Sequence, residues 1–232
     1  MSRITRKELK SDKFALEVEQ SITFFEEHQK EITRYGTIAL GAAVLIFGYV
    51  IYSRHEHTVR EQALSAAVRV QEAPVGISGN GGLAFPTQEA KDQESLRVFT
   101  DLQSKYGGTP EGEIAGYYLG AVKADQGKMA EAEKLFSEAS QRSDAKYASL
   151  AKLSLAQIYF GDGRDAQGEK VLRELMDKPT EFVSKEQATI ALARFLAPKK
   201  PAEARKLLEP LRTQPGAVSQ VALTLIGELP PQ

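Results

Sequence analysis

The chain has 232 residues and 30 Lys and Arg against 31 Asp and Glu, a formal net charge of −1, so it carries no field that would gather nucleic acid, and a DNA or RNA partner is not expected. It contains no cysteine, which removes disulfide frameworks, thiolate zinc sites and dithiol redox chemistry. The length accommodates one good-sized domain plus an anchor, or a repeat array, and excludes two large catalytic domains.

Residues 1–34 read as a tail. Phe14, Val18, Ile22, Phe25 and Ile32 recur at helical intervals, with Glu17, Glu19, Glu26, Glu27, Lys30 and Glu31 elsewhere around the wheel, which predicts an amphipathic helix over 14–32. Its acidic polar face suits a protein partner at the membrane better than an anionic lipid surface, and a solvated stub leading into the membrane is the plain alternative.

Tyr35 to Tyr52 reads YGTIALGAAVLIFGYVIY, without one charge and flanked by Arg34 and Arg54. As a helix this stretch spans roughly 27 Å, close to the hydrocarbon thickness of a bilayer. Tyr35, Tyr49 and Tyr52 stand near its ends, where an amphipathic ring is most at home. A globular core helix would keep a polar stripe, and a cleaved signal would end in a small-x-small site; the stretch shows neither. We therefore expect a transmembrane helix over 35–52. Lys and Arg counts close to it do not decide the orientation, but Arg3, Arg6, Lys7, Lys10 and Lys13 in the remoter tail favour tail inside and domain outside. Ala39 with Ala43, and Gly41 with Gly48, would let another helix approach closely, although most apolar spans contain such pairs by chance.

Residues 53–88 are expected to carry that helix outward to about residue 72, pairing it with a helix at 89–106, and then to form a flexible loop bounded by Pro74 and Pro86. No Gly-Lys-Ser/Thr follows the glycines, so they do not read as a phosphate-binding loop.

From residue 89 to 229 strong helix formers dominate and a 36-residue period emerges. Ala132, Gly168 and Ala204 obey it, as do Phe136, Leu172 and Leu208, then Ala139, Leu175 and Leu211. Upstream stand Leu119, Leu155 and Ala191, followed by Gly120, Ala156 and Leu192, with Gly127 and Gly163 marking turns. Small residues recur where helices cross closely and large apolar ones where a hole must be filled. This order resembles the tetratricopeptide repeat: Leu119-Gly120, Gly127, then AEAEKLF ending at Phe136, with a second unit through Leu155, Tyr159, Gly163 and Leu172. The third unit is degenerate, its turn rewritten as APKKP. Lys123 takes a slot filled by Tyr159 and Phe195 in the other units. The predicted fold is thus all-α, one transmembrane helix followed by a tetratricopeptide-like α-hairpin solenoid, closed by a terminal helix at 218–229.

The resemblance implies that the first helix of each pair lines a protein-binding groove. Mapped here, that lining is Ile114, Tyr117 and Ala121, then Leu150, Leu153, Gln157 and Phe160, then Thr189, Ala193 and Leu196. It is largely apolar and lacks a Lys and Asn clamp for a terminal carboxylate, so a hydrophobic, sequence-tolerant contact is implied; packing of these side chains against neighbouring helices is the competing account.

Catalysis finds no support. His28, His55 and His57 are the three histidines, and the last two point about 200 degrees apart on a helix, so they cannot share a metal. There is no nucleophile elbow and no zinc or calcium spacing, and no cofactor or small-molecule substrate is expected.

A tail with Phe24-Phe25, one span, an outward helix and degenerate tetratricopeptide units together resemble the YfgM-type ancillary subunits of the bacterial SecYEG translocon. That resemblance implies a single-pass inner-membrane protein with a cytoplasmic N-terminus and a periplasmic repeat domain that meets exported proteins and periplasmic chaperones. The segment over 73–88 is longer than the resemblance implies. The alternative is a scaffold of an envelope assembly or cell-division complex with one dedicated partner.

Overall fold

The computed structural model describes residues 29–76 and 82–230. The tail helix expected over 14–32 lies outside them up to residue 28, and His28 lies outside with it. The chain divides into two compact units, Met1–Val59 and Arg60–Gln232.

Helix α1, Gln29–Glu72, belongs to the first unit up to Val59 and to the second from Arg60. It contains no proline, and its threonines satisfy themselves: the Thr33 hydroxyl donates to the Gln29 carbonyl at 2.6 Å, Thr37 to Thr33 at 2.9 Å and Thr58 to Arg54 at 3.0 Å. Every side chain from Tyr35 to Tyr52 is exposed, Leu45 at 76 %. This helix is long and apolar enough to cross a membrane.

In the second unit the same helix turns from bare to half-buried. Ala67 joins Phe99 and Leu102 in one apolar cluster, with Ala63, Leu64 and Val68 against it. Phe99 and Leu102 come from α2, Gln88–Tyr106, so the expected pairing is present. Between the two helices, Val75 and Phe85 form an isolated parallel bridge, in which the Gly76 amide donates to the Phe85 carbonyl at 2.8 Å and the Phe85 amide to Pro74 at 3.0 Å.

The hairpins follow in chain order: α3 Pro110–Asp125 with α4 Met129–Arg142, α5 Ala145–Gly161 with α6 Asp165–Asp177, and α7 Lys185–Leu196 with α8 Pro201–Leu208. A short 3₁₀ turn, Glu209–Leu211, and α9, Ala217–Glu228, close the stack. From α2 to the 3₁₀ turn, each helix packs chiefly on its neighbours in sequence, as expected of a solenoid. Oxygen-bearing caps start the first helix of each pair. Thr109 accepts from the Gly112 amide at 3.3 Å, Asp144 from Tyr147 at 2.9 Å and Ser184 from Gln187 at 3.1 Å.

The 36-residue period maps onto the core. Ala132, Gly168 and Ala204 are all buried, and so are Phe136, Leu172 and Leu208 in the next row. Each such leucine is worth about 2 to 3 kcal/mol in apolar burial. The first two turns close alike, with the Lys128 amide on the Lys123 carbonyl at 2.9 Å and the Arg164 amide on Tyr159 at 2.7 Å. Both place a glycine in the left-handed region, Gly127 at φ 75° and Gly163 at φ 74°, which a side chain would strain. The third turn dispenses with glycine. There the Lys200 amide returns to Leu196 at 2.6 Å, and Pro201 opens α8 with a φ already suited to a first helical turn.

The third pair also differs at its entrance. Only Ser143 and Asp144 separate α4 from α5, whereas residues 178–184 separate α6 from α7 and replace the first turn of a longer helix. That link is pinned by buried Val183 and by the Thr180 hydroxyl, which lies 2.7 Å from the Ser149 hydroxyl and accepts from the Val183 amide at 3.1 Å.

Candidate functional site

Two adjoining features lie along the stacked helices. The first is a continuous row of rings. Phe99 of α2 stacks on Tyr118 of α3 at 4.8 Å, Tyr118 meets Tyr147 of α5 at 6.0 Å, and Tyr147 meets Phe182 of the 178–184 link edge-on at 5.3 Å. Tyr117 lies beside the row, 5.8 Å from Tyr147 and 5.7 Å from Phe136. The row therefore crosses three helices and the link. Phe99 is wholly buried, the three tyrosines are half-buried and Phe182 is 38 % exposed, so its far end offers ring faces to solvent. Lys146 lies over the Phe182 ring at 5.5 Å while pairing with Glu181 at 2.5 Å.

Burial pushes the Tyr118 hydroxyl well above the ordinary phenol range, helped by its hydrogen bond with Tyr147. Tyr117 is raised for the same first reason, opposed by a hydrogen bond with Ser154. Both stay neutral at physiological pH, and their hydroxyls serve as hydrogen-bonding groups.

The second feature is a cleft of about 460 Å³ where α3, α4 and α5 meet. Ala121, Ala124, Met129, Phe136 and Ile158 form its apolar lining, Ser154 and Gln157 its neutral polar one, and Asp125 and Asp162 its charged one. Met129 is exposed, and its flexible thioether suits an adaptable contact. Burial raises the Asp125 carboxyl above the usual carboxylate range, and Asp92 adds to the rise.

The residues expected along the groove divide into two sets. Ile114, Thr189, Ala193 and Leu196 are buried: Ala193 and Leu196 sit in the core under the third hairpin, and the Thr189 hydroxyl donates to the Lys185 carbonyl at 2.7 Å. All four are largely enclosed in the fold. Phe160 is also a packing residue, stacked on Phe195 at 3.8 Å and filling the space over Gly168. Leu150 and Leu153 are half-buried against the core, whereas Ala121 and Gln157 are brought together in the cleft and Tyr117 joins the ring row. Sequence reasoning missed Tyr118, Tyr147, Phe182, Asp125 and Asp162. None of the three aromatics recurs at 36 residues, so self-alignment passes over them; the Tyr117-Tyr118 doublet in a chain without tryptophan was the available signal.

No group of three or more His, Asp or Glu side chains among the described residues is placed to hold a metal ion. Lys123, in the slot otherwise aromatic, reaches over the turn to Glu131 at 2.6 Å. Arg164 lies over the Tyr159 ring at 4.5 Å while gripping Glu133 with both terminal nitrogens at 2.7 Å.

No curated protein and no solved structure matches the chain. The profile of one family, described as a tetratricopeptide repeat-like domain, matches residues 23–187, well over half of the chain. The match takes in the apolar half of α1 as well as the first two hairpins, and it ends just inside α7, leaving most of the rewritten third hairpin beyond it. With its turns, small-to-large contacts and stacked hairpins in the same order, the chain belongs to the tetratricopeptide repeat-like domain family, whose repeats are protein-interaction modules.

Proposed function

We propose that the chain is a single-pass protein of a bacterial inner membrane, tail in the cytoplasm and repeat domain in the periplasm, where it holds exported proteins near the SecYEG translocon in a chaperone-like manner. The observation that carries the reading is the pairing of an uncharged, wholly exposed helical stretch with a repeat domain whose ring row and cleft stay open to solvent. An apolar stretch with no polar stripe is matched by lipid, which asks for no polar partner. An open row of tyrosines and one phenylalanine offers large, rigid contact area with few rotamers to freeze, suited to guests of varied sequence. The groove in this reading is Tyr117, Tyr118, Ala121, Tyr147, Gln157 and Phe182.

Two experiments test it. Protease added to intact spheroplasts should degrade the repeat domain, and protection until lysis would place that domain in the cytoplasm and end the reading. Crosslinking in gently solubilised membranes should recover translocon subunits together with several exported proteins. Recovery of one stoichiometric partner and no translocon would instead establish the scaffold of an envelope assembly.

A further inference from the structure

We propose that the cleft between the first two hairpins receives an extended, cationic segment of the guest protein. Lys or Arg side chains lay their aliphatic stems on the apolar floor and direct their charged ends to the carboxylates. The proposal rests on the binding-face reading above and adds the chemistry of what is bound.

The lining joins apolar side chains to two carboxylates and includes no Lys or Arg. Charges just behind it do not restore balance. Asp162 shares Arg164 with Glu133, the Arg164–Asp162 contact being 2.6 Å, so three charges leave one negative in excess. Asp125 faces Asp92, and Lys91 alone offsets the two, again leaving one negative in excess. Lys123 and Lys128 both act on Glu131 and leave one positive over, so the three groups taken together stay negative by one. A long side chain with an apolar stem and a cationic tip matches such a surface along its whole length. An acidic guest would be repelled, and a purely aliphatic one would cover the carboxylates without satisfying them.

The test uses full-length protein in a neutral detergent and two labelled peptides, Gly-Ala-Lys-Val-Lys-Ala-Gly and its counterpart with Glu for Lys, against detergent alone as blank. The Lys peptide should bind at least tenfold tighter at low salt, and the preference should collapse as ionic strength approaches about 1 M. Asp125→Asn should weaken the Lys peptide by roughly threefold, as loss of one partly solvated charge predicts, and leave the Glu peptide no weaker. Gln157→Trp, at an exposed position, should block both peptides while far-UV circular dichroism stays unchanged. Equal affinity for the two peptides, or a Lys preference indifferent to Asp125→Asn and Gln157→Trp, overturns the proposal. Equal binding that Gln157→Trp still blocks would overturn only the charge preference and leave the binding face standing; no binding of any peptide or unfolded protein would remove both.

Discussion

Leu45 and Leu172 are the same side chain on the same kind of element, yet one is 76 % exposed and the other completely enclosed. In the first unit the apolar stretch of α1 is exposed from end to end among the described residues, and its residues carry no polar face with which to meet water. In the second unit the helices carry polar sides, and their apolar sides are covered by neighbouring helices of the stack. The difference lies in the surroundings each pattern requires. An apolar cylinder is complete only in an apolar solvent, whereas an amphipathic hairpin is completed by a neighbour of its own kind.

Substituting the same residue in both places gives the largest contrast. Leu172→Ala should destabilise the repeat unit by about 3 kcal/mol in urea or thermal unfolding followed by circular dichroism, while Leu45→Ala should leave that transition where it was. If both shift it equally, the apolar stretch is packed on protein. A charge should invert the pattern. Leu45→Arg is expected to cost roughly 3 kcal/mol of membrane insertion, read as the membrane-bound fraction after alkaline carbonate extraction, with no change in unfolding of the repeats.

Glycines sharpen the comparison at a smaller scale. A Cβ at Gly168 would fall 2.6 Å from the Phe160 ring, so Gly168→Ala should destabilise by about 2 kcal/mol as the ring is forced aside. A Cβ at Gly41 meets nothing within 4 Å, and Gly41→Ala should leave the unfolding transition unmoved and the helix slightly firmer. A Gly168→Ala variant as stable as the parent would show that α5 and α6 tolerate a wider crossing than the structure has.

The smallest expected effect is alkaline. Burial and the hydrogen bond with Tyr147 raise the Tyr118 hydroxyl above an unfolded value of about 10. Its contribution is therefore complete below that pH and is lost as pH climbs toward the folded value. Stability of the repeat unit should fall above about pH 10, and Tyr118→Phe should make the fall shallower. A parallel decline in both proteins would assign the titration to other groups.

How much of this was legible in advance depended on whether the signal repeats. Leu119, Leu155 and the small residues at 132, 168 and 204 recur on a fixed period, and the structure buries them in equivalent rows. The groove residues were mapped from the same period, and the structure buries Ile114, Thr189, Ala193 and Leu196 among them. A helix only 12 residues long at the third hairpin, entered through a seven-residue link, turns inward a face that the longer α5 leaves half open. Tyr147 lies in a first turn and Phe182 in the link, places where repeats diverge, so no spacing argument reaches them.

The amino-acid sequence alone determined which segments are helical, where the turns fall, and that one stretch differs from the rest in having no polar side. These follow from interactions within a few residues: caps, glycine at positive φ, and hydrophobic spacing. Only the tertiary structure decided which apolar side chains stay open, how four aromatic residues from three helices and a link form one row, and that Asp125 and Asp162, from different hairpins, line one cleft. Those juxtapositions depend on how far each helix runs before its neighbour crosses it, a property of packed helix pairs that no single segment encodes.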